Sequence, residues 1–242
     1  MYRHHSIHSV LGCSVIFLCC LSGCGSKTSP AAAESATKTG WCGVDSAPDP
    51  ASPGVALPRL TWQIPITVRR GNSLPDREWG MIKKAMTSWS TASGRELFSL
   101  IEEPEDRDGN AFPNLDAPLG DKINSNYFET STWTARTGKE SGVLATTVFQ
   151  NTGTGPEADI RYNNEHYNYG DANSDKTIGT RYVADIETVA LHELGHLLSL
   201  AHIEETVDAT SAMKATIEVG PNKTKRILST GDSARIKALH GL

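Results

Sequence analysis

The sequence lacks a hydrophobic run long enough to cross a membrane, and it lacks an excess of basic residues. A spanning helix needs about 20 consecutive apolar residues, and the apolar run Val10–Leu21 is much shorter. The formal net charge of −5, from 23 Lys and Arg against 28 Asp and Glu, argues against a nucleic-acid-binding protein. Charged residues at 21% and aromatics at 7% exclude a wholly disordered chain, and 242 residues suffice for one globular domain or two small ones.

Cysteine is scarce outside the N-terminal segment, where four of the five cysteines lie, at positions 13, 19, 20 and 24. A positive start at Arg3 precedes the apolar run and the sequence Leu21-Ser22-Gly23-Cys24, which is typical of an export signal. The last four residues resemble the bacterial lipobox. This resemblance predicts that residues 1–23 form a lipoprotein signal peptide and that Cys24 carries a lipid. The alternative is an ordinary signal peptide in which Cys24 has no role.

A lipidated Cys24 would make the protein an exported one, anchored by its lipid in the bacterial cell envelope at the outer membrane or the cell surface. It would leave Cys42 as the only other cysteine of the mature chain, which excludes an internal disulfide. Residues 24–58 are predicted to form a flexible tether or a short pro-segment. Positions 25–40 are small and polar, and prolines at 48, 50, 53 and 58 favour an irregular chain.

From residue 59 to residue 242 the pattern is that of a folded domain. Ser73 and Pro75 predict the start of a helix, and the apolar spacing from Trp79 to Trp89 indicates one face that packs on a sheet. Further patterns predict strands at 61–69, 97–101, 142–149 and 158–162, and Pro65 places the first of these at an edge or bulge. Loops are predicted at 102–122 and 163–180, and helices at 185–199 and 232–239. This order predicts an α+β domain with a twisted mixed sheet.

The predicted helix at 185–199 carries the sequence His192-Glu193-Leu194-Gly195-His196, and His202 follows six residues later. Positions i and i+4 lie one above the other on a helix, so His192 and His196 present two imidazoles to one point, beside Glu193. If the helix ends near Ser199, the chain can turn back and supply His202 as a third ligand. Three protein ligands with one open position are typical of catalytic zinc, and the spacing is that of the metzincin peptidases.

These residues resemble the matrixins, the metzincin peptidases that include the matrix metalloproteinases. The resemblance runs from about residue 60 to residue 242 and includes the sequence 144–149, which is similar to the family's edge strand. It implies a metzincin-like catalytic fold with an active-site helix, a packing helix and a short C-terminal helix. It also places Met213 at the Met-turn, beneath the metal. For Met213 alone, a core methionine that fills a gap is an equal interpretation.

Two departures from the family pattern affect the expected metal sites. Ser199 stands where the family has Gly, and a left-handed Ser costs about 1 kcal/mol. Matrixins often hold a second, structural zinc through histidines on their strands, but the matching positions here are Thr146 and Arg161. The resemblance therefore implies one catalytic Zn²⁺ and no structural zinc.

Calcium is a further expectation. Asp159 follows a Gly-rich stretch that resembles a calcium loop of the family, and Asp171, Asn173 and Asp175 offer alternating oxygen ligands. A solvated polar loop is at least as good an interpretation of both stretches. Ca²⁺ therefore stays an open alternative to an empty loop.

The sequence Cys42-Gly43-Val44-Asp45 resembles the cysteine switch of matrixin pro-segments, in which a thiolate occupies the open position of zinc and keeps the enzyme latent. Trp41 stands where the family has Arg, and the segment that follows Cys24 is too short for the family's helical pro-domain. A packed thiol is the alternative interpretation of Cys42.

The resemblance implies a zinc-dependent metalloendopeptidase that acts on a protein or peptide substrate. We expect a monomer, although no sequence feature indicates the oligomeric state. Glu193 would take a proton from the zinc-activated water and deliver it to the leaving amine, while the peptide lies along the edge strand 142–149. One alternative is a peptidase that processes a single envelope protein. The other is a non-catalytic zinc-binding surface lipoprotein that retains the fold, against which the intact Glu193 weighs.

Overall fold

The computed structural model describes residues 38–44, 47–48, 56–57, 61–105, 123–151 and 155–240, all of which belong to one unit, Ser35–Leu242. The helices are α1 (Asp76–Ser93), α2 (Trp133–Thr137), α3 (Ile186–Leu197) and α4 (Thr230–His240). The strands are β1 (Lys38–Val44), β2 (Ala47–Pro48), β3 (Ala56–Leu57), β4 (Ile66–Gly71), β5 (Phe98–Glu105), β6 (Asn124–Glu129), β7 (Val143–Asn151), β8 (Pro156–Asn163), β9 (Asn168–Gly170), β10 (Thr177–Ile178), β11 (Arg181–Asp185) and β12 (Thr216–Val219).

The main sheet has seven strands in the order β12-β1-β7-β8-β6-β4-β5. The pairs β4–β5, β4–β6, β6–β8 and β1–β7 are parallel, whereas β7–β8 and β1–β12 are antiparallel. Smaller sheets join β10, β11 and β9, and β2 with β3. The predicted α+β fold with a mixed sheet is therefore confirmed.

The core lies between the sheet and two packed helices, α1 and α3. The apolar face of α1 is buried, including Trp79 and Trp89, as its spacing predicts. Trp89 also donates from Nε1 to the carbonyl of Leu191, at 2.8 Å, which ties α1 to α3. Every residue of α3 is buried, so this helix runs through the core. None of the helices among the described residues has the length and apolarity that a membrane span requires.

Strand β1 differs from the expectation of an irregular chain before residue 58. Its residues Lys38–Trp41 pair antiparallel with Val219–Thr216 of β12, and Cys42–Val44 pair parallel with Ala145–Thr147 of β7. The sequence 142–149 was expected to be an edge strand, and this expectation is wrong for the full chain. β7 would be an edge only without β1, because β8 covers its other side.

Several other elements differ from their predicted positions. The first predicted strand begins only at Ile66, because the preceding Pro65 has no N–H to donate to a neighbouring strand. This strand, β4, pairs on both sides instead of lying at an edge. Ser73 does not cap α1: its hydroxyl accepts a hydrogen bond from the N–H of Phe128. β9 and β10 lie in the segment 163–180, which the sequence predicts as loop.

Candidate metal centre

The N-terminus of α3 is fixed by a buried carboxylate. Asp185 is the N-cap residue, and its Oδ1 accepts from the N–H of Thr188 at 2.9 Å, which satisfies one of the unpaired donors of the first turn. Arg226 forms hydrogen bonds to the same carboxylate and to Asp171. The helix that carries the histidines is thus held by the core along its length and by an ion pair at its start.

His192, His196 and His202 meet at one point, as the sequence predicts. The Nε2 atoms of His192 and His196 are 3.0 Å apart, and each lies 3.2 Å from Nε2 of His202. Nitrogens bound at about 2.0–2.1 Å to one tetrahedral zinc lie about 3.3 Å apart. The triangle of nitrogens therefore has the size that a single ion of this kind requires.

The hydrogen bonds on the far side of the rings decide which nitrogens carry protons. Nδ1 of His192 lies 2.8 Å from the carbonyl of Ala212, and Nδ1 of His196 lies 2.7 Å from the carbonyl of Leu200. A carbonyl only accepts, so both Nδ1 atoms are donors and the neutral rings have lone pairs on Nε2. Two such lone pairs 3.0 Å apart cannot bond each other, and a shared cation satisfies both.

Burial keeps these imidazoles neutral. It lowers the pKa of His192 to about 3, helped by the neighbouring charge of His202, and it lowers the pKa of His202 to about 4. Burial also holds the pKa of His196 well below its usual range. Metal binding requires neutral imidazole, so the three side chains are ready to act as ligands at neutral pH.

Ser199 makes the turn that brings His202 to the other two histidines. Its φ is +72°, the left-handed conformation that Gly adopts without steric cost. The N–H of Leu200 then bonds the carbonyl of Gly195 at 2.9 Å, and the carbonyl of Leu200 accepts from His196. The expected cost of a left-handed Ser is therefore present in the fold, and the turn still forms.

Met213 packs against α3 at Gly195, which lies between His192 and His196 in the sequence. It is fully buried, and its carbonyl accepts from the N–H of Ile203 at 3.0 Å. A Cβ at Gly195 would overlap Sδ of Met213, so any larger residue at this position would force the buried Met213 side chain to move. This contact explains the Gly of the motif and favours the Met-turn interpretation of Met213.

Asp232 holds the residues that precede Met213. Its carboxylate accepts from Ser211 Oγ at 2.5 Å and from the N–H of Ala212 at 2.7 Å, and it pairs with Arg235 at 2.5 Å. Asp232 is the first residue of the last predicted helix, and in the structure its carboxylate also reaches Ser211 and Ala212, which lie 21 and 20 positions earlier in the chain. Because the carbonyl of Ala212 in turn accepts from His192, Asp232 supports the ring orientation of a candidate metal ligand.

Glu193 is fully buried next to the histidines, and Thr147 of β7 contacts it. Oγ1 of Thr147 donates to Oε2 of Glu193 at 2.6 Å, a distance typical of a charge-assisted hydrogen bond. Sequence reasoning missed the contact of Thr147 with Glu193 and the contact of Asp232 with Ala212. The only available signal for Thr147 was its place on the strand predicted to lie beside the site.

Two of the residues considered for other metals, Arg161 and Asp159, have protein partners. Arg161 of β8 lies opposite Thr146 of β7, and its side chain pairs with Glu129 at 2.8 Å. Oδ1 of Asp159 accepts from the N–H of Ser125 at 3.0 Å. The absence of a structural zinc stays a prediction.

The carboxylates of the other predicted calcium loop form ion pairs. Asp171 pairs with Arg226 at 2.5 Å, and Asp175 pairs with Arg77 at 2.5 Å, while Oδ1 of Asp171 accepts from the N–H of Asn173. Within the described part of the chain, the three histidines are the one cluster of at least three His, Cys, Asp or Glu ligands. The calcium prediction therefore gains no support.

The two cysteines singled out in the sequence can be placed only in part. Cys24 lies outside the described residues. The backbone of Cys42 lies in β1 opposite Ala145, and its side chain lies outside the description.

Comparison with known families agrees with this geometry. The model of the matrixin family matches residues 122–241, which include α3, the three histidines and Met213. This region is matrixin-like. β4, α1 and β5 lie before the matched region, although the sequence resemblance extends to about residue 60. A comparison with curated proteins gives no match.

Proposed function

We propose that this chain is a zinc-dependent endopeptidase that uses Glu193 as its general base. The observation that carries the proposal is the triangle of Nε2 atoms, with edges of 3.0–3.2 Å, next to a buried carboxylate. The matrixin-like region that contains the triangle supports it.

The residues of the site divide the chemistry between them. The histidines would hold a zinc ion, which would supply a Lewis acid and make an attacking water more acidic. Glu193 accepts a proton from the attacking water and returns it to the leaving amine. The hydroxyl of Thr147 holds one carboxylate oxygen by its 2.6 Å hydrogen bond, which leaves the other oxygen to exchange the proton.

The gap between β7 and β12 supports binding of an extended peptide. β1 shows that one strand fits there, because Trp41 pairs with Val143 of β7 and with Thr216 of β12. A substrate peptide would take the same place by strand addition, with main-chain hydrogen bonds that do not depend on its sequence.

The same pairing supports a latent form of the enzyme. β1 occupies the strand position that a substrate needs, and its Cys42 lies opposite Ala145, two residues before Thr147. We propose that the Cys42 thiolate blocks the metal until β1 is displaced. If the full chain with Cys42→Ser has the same zinc-dependent activity as the wild type, Cys42 is only a packed thiol.

Export and lipid anchoring at Cys24 complete the proposal. The N-terminal signal and the lipobox resemblance support them. Metabolic labelling with a fatty-acid analogue is expected to label the wild type in a bacterial host and to leave Cys24→Ala unlabelled. Labelling of both would place the lipid elsewhere.

Peptidase activity is tested with the full chain carrying Cys42→Ser and a library of quenched fluorescent peptides. Without the thiolate, only strand pairing holds β1, so a peptide in excess can compete for its place. Zinc-loaded protein is expected to cleave peptides, whereas the matched variant that also carries Glu193→Gln binds zinc equally and does not cleave. Zinc binding without cleavage in both proteins would favour the alternative of a non-catalytic surface lipoprotein. The hydrogen bond from Thr147 to Glu193 favours catalysis, because a binding protein has no need for a positioned carboxylate.

A further inference from the structure

A cavity of about 100 Å³ shares a wall with the first metal ligand. It is lined by Thr188 of α3, by Ala212, whose carbonyl accepts from His192, and by Thr216 and Ile217 of β12. Any extended segment that lies between β7 and β12 passes Thr216 and Ile217, as β1 does. The cavity is therefore positioned to receive a side chain of a peptide bound beside the metal centre.

The charge of the cavity lining is positive. The lining residues include three lysines, Lys214, Lys223 and Lys225, and one acid, Glu218. Lys223 pairs with Glu218 at 3.1 Å, and Lys214 pairs with Glu205 at 3.1 Å. Among the described residues, no carboxylate lies within ion-pair distance of Lys225. Its ammonium is the one lining charge that these pairs leave uncompensated.

Lys225 is held in place by its backbone. Its N–H donates to Oγ1 of Thr188 at 2.8 Å, and that hydroxyl donates to Asp185 at 2.7 Å. The next residue, Arg226, is fixed to Asp185 and Asp171 by ion pairs. The backbone of Lys225 is therefore fixed next to Thr188 of α3, and Thr188 lies one helical turn before His192.

The other charges near Lys225 do not compensate it. Burial and the neighbouring ammonium of Lys214 lower its pKa, while Asp232, Asp208 and Glu205 act in the opposite direction. Asp208 and Asp232 both pair with Arg235, and Glu205 pairs with Lys214. A half-buried cation gains most from a partner that brings a negative charge into the same cavity.

We propose that this cavity selects substrates with an Asp or Glu side chain next to the cleaved bond, through a salt bridge to Lys225. The inference rests on the proposed peptidase function, which it deepens by naming a substrate class. The volume suits a short acidic side chain.

The experiment uses the full chain with Cys42→Ser, so that the thiol cannot compete for the metal. Pairs of quenched peptides carry Glu or Gln at each position near the cleaved bond, and mass spectrometry locates the cut. At one position we expect kcat/KM at least about tenfold higher for Glu than for Gln. Lys225→Met is expected to bring this ratio close to one. Lys83→Met removes a surface charge paired with Glu102 and is expected to preserve the ratio.

A second readout separates failure of this inference from failure of the proposed function. Fluorescence anisotropy measures binding of the same Glu and Gln peptides to zinc-loaded Glu193→Gln protein, with and without Lys225→Met. A Glu preference that Lys225→Met abolishes supports the inference even if no peptide is cleaved. No Glu preference in binding or cleavage, or a preference that survives Lys225→Met, overturns it, whereas cleavage without any acidic preference leaves the peptidase function intact.

Discussion

The hydrogen bond from Thr147 to Glu193 leads to a specific prediction about catalysis. Thr147→Val keeps the shape of a fully buried side chain and removes the hydroxyl that lies 2.6 Å from Oε2 of Glu193. A hydrogen bond to a charged group contributes about 1.5–3 kcal/mol, so its loss corresponds to a rate decrease of about 10–150-fold. We expect this decrease in kcat, because Thr147 acts through Glu193.

The assay compares Thr147→Val with Thr146→Val, its neighbour on β7. Thr146 is equally buried, and its Oγ1 has no hydrogen-bond partner among the described residues, so this variant controls for the change of shape. Both proteins should bind one zinc per chain. The pH–rate profile of Thr147→Val should shift its acid limb to higher pH, since the ionised carboxylate has lost a donor. Equal kcat values and equal profiles for the two variants would refute the assigned role of Thr147.

Three further predictions concern the support of the metal centre. Gly195→Ala forces a Cβ onto Met213, so we expect a loss of about 1–3 kcal/mol in the free energy of unfolding and weaker zinc binding. The control Gly80→Ala places a Cβ in open space on α1 and should not destabilise the fold. Equal free energies of unfolding for the two variants would contradict the packing argument. At Ser199, whose φ is +72°, a change to Val should cost at least about 1–2 kcal/mol in urea unfolding while Gly is tolerated; a stable Val variant would refute the left-handed turn. The metal-free protein should lose stability as the pH falls from 6.5 to 5, by about 1.4 kcal/mol per pH unit for each buried histidine. Since the folded pKa values of about 3 and 4 lie below the ordinary value of 6.5, only the unfolded chain takes up protons in this window. Urea unfolding in the presence of a chelator measures this slope, His192→Gln should reduce it, and a flat profile would contradict the buried neutral state.

The residues of the metal centre were predictable because their spacing is local. His192 and His196 are four residues apart on one helix, and helical geometry alone brings their side chains together. His202 needed a turn at Ser199, which the pattern of the motif indicates and which a φ of +72° provides.

The supporting residues were not predictable, because their contacts join distant parts of the chain. Thr147 reaches Glu193 across 46 positions, and Asp232 reaches Ala212 across 20. A threonine on a strand and an acid at a helix start both have ordinary local explanations, so no sequence pattern singled them out.

Strand β1 was missed for a related reason. Prolines and small polar residues before residue 58 predict an irregular tether. A strand is stable only when it pairs with other strands, and the local sequence does not show those partners. The segment Lys38–Val44 becomes a strand only because β7 and β12 offer partners on both sides. Tertiary pairing thus overrides local propensity at this place.

Zinc X-ray absorption spectroscopy of the purified full chain tests the central claim most directly. The account predicts one zinc per chain with three nitrogen neighbours at about 2.0–2.1 Å, and a sulfur neighbour at about 2.3 Å only while Cys42 is intact. His202→Ala should remove one nitrogen neighbour or abolish binding. A protein that binds no zinc, or one whose zinc spectrum is unchanged by His202→Ala, would contradict the assignment of the metal centre.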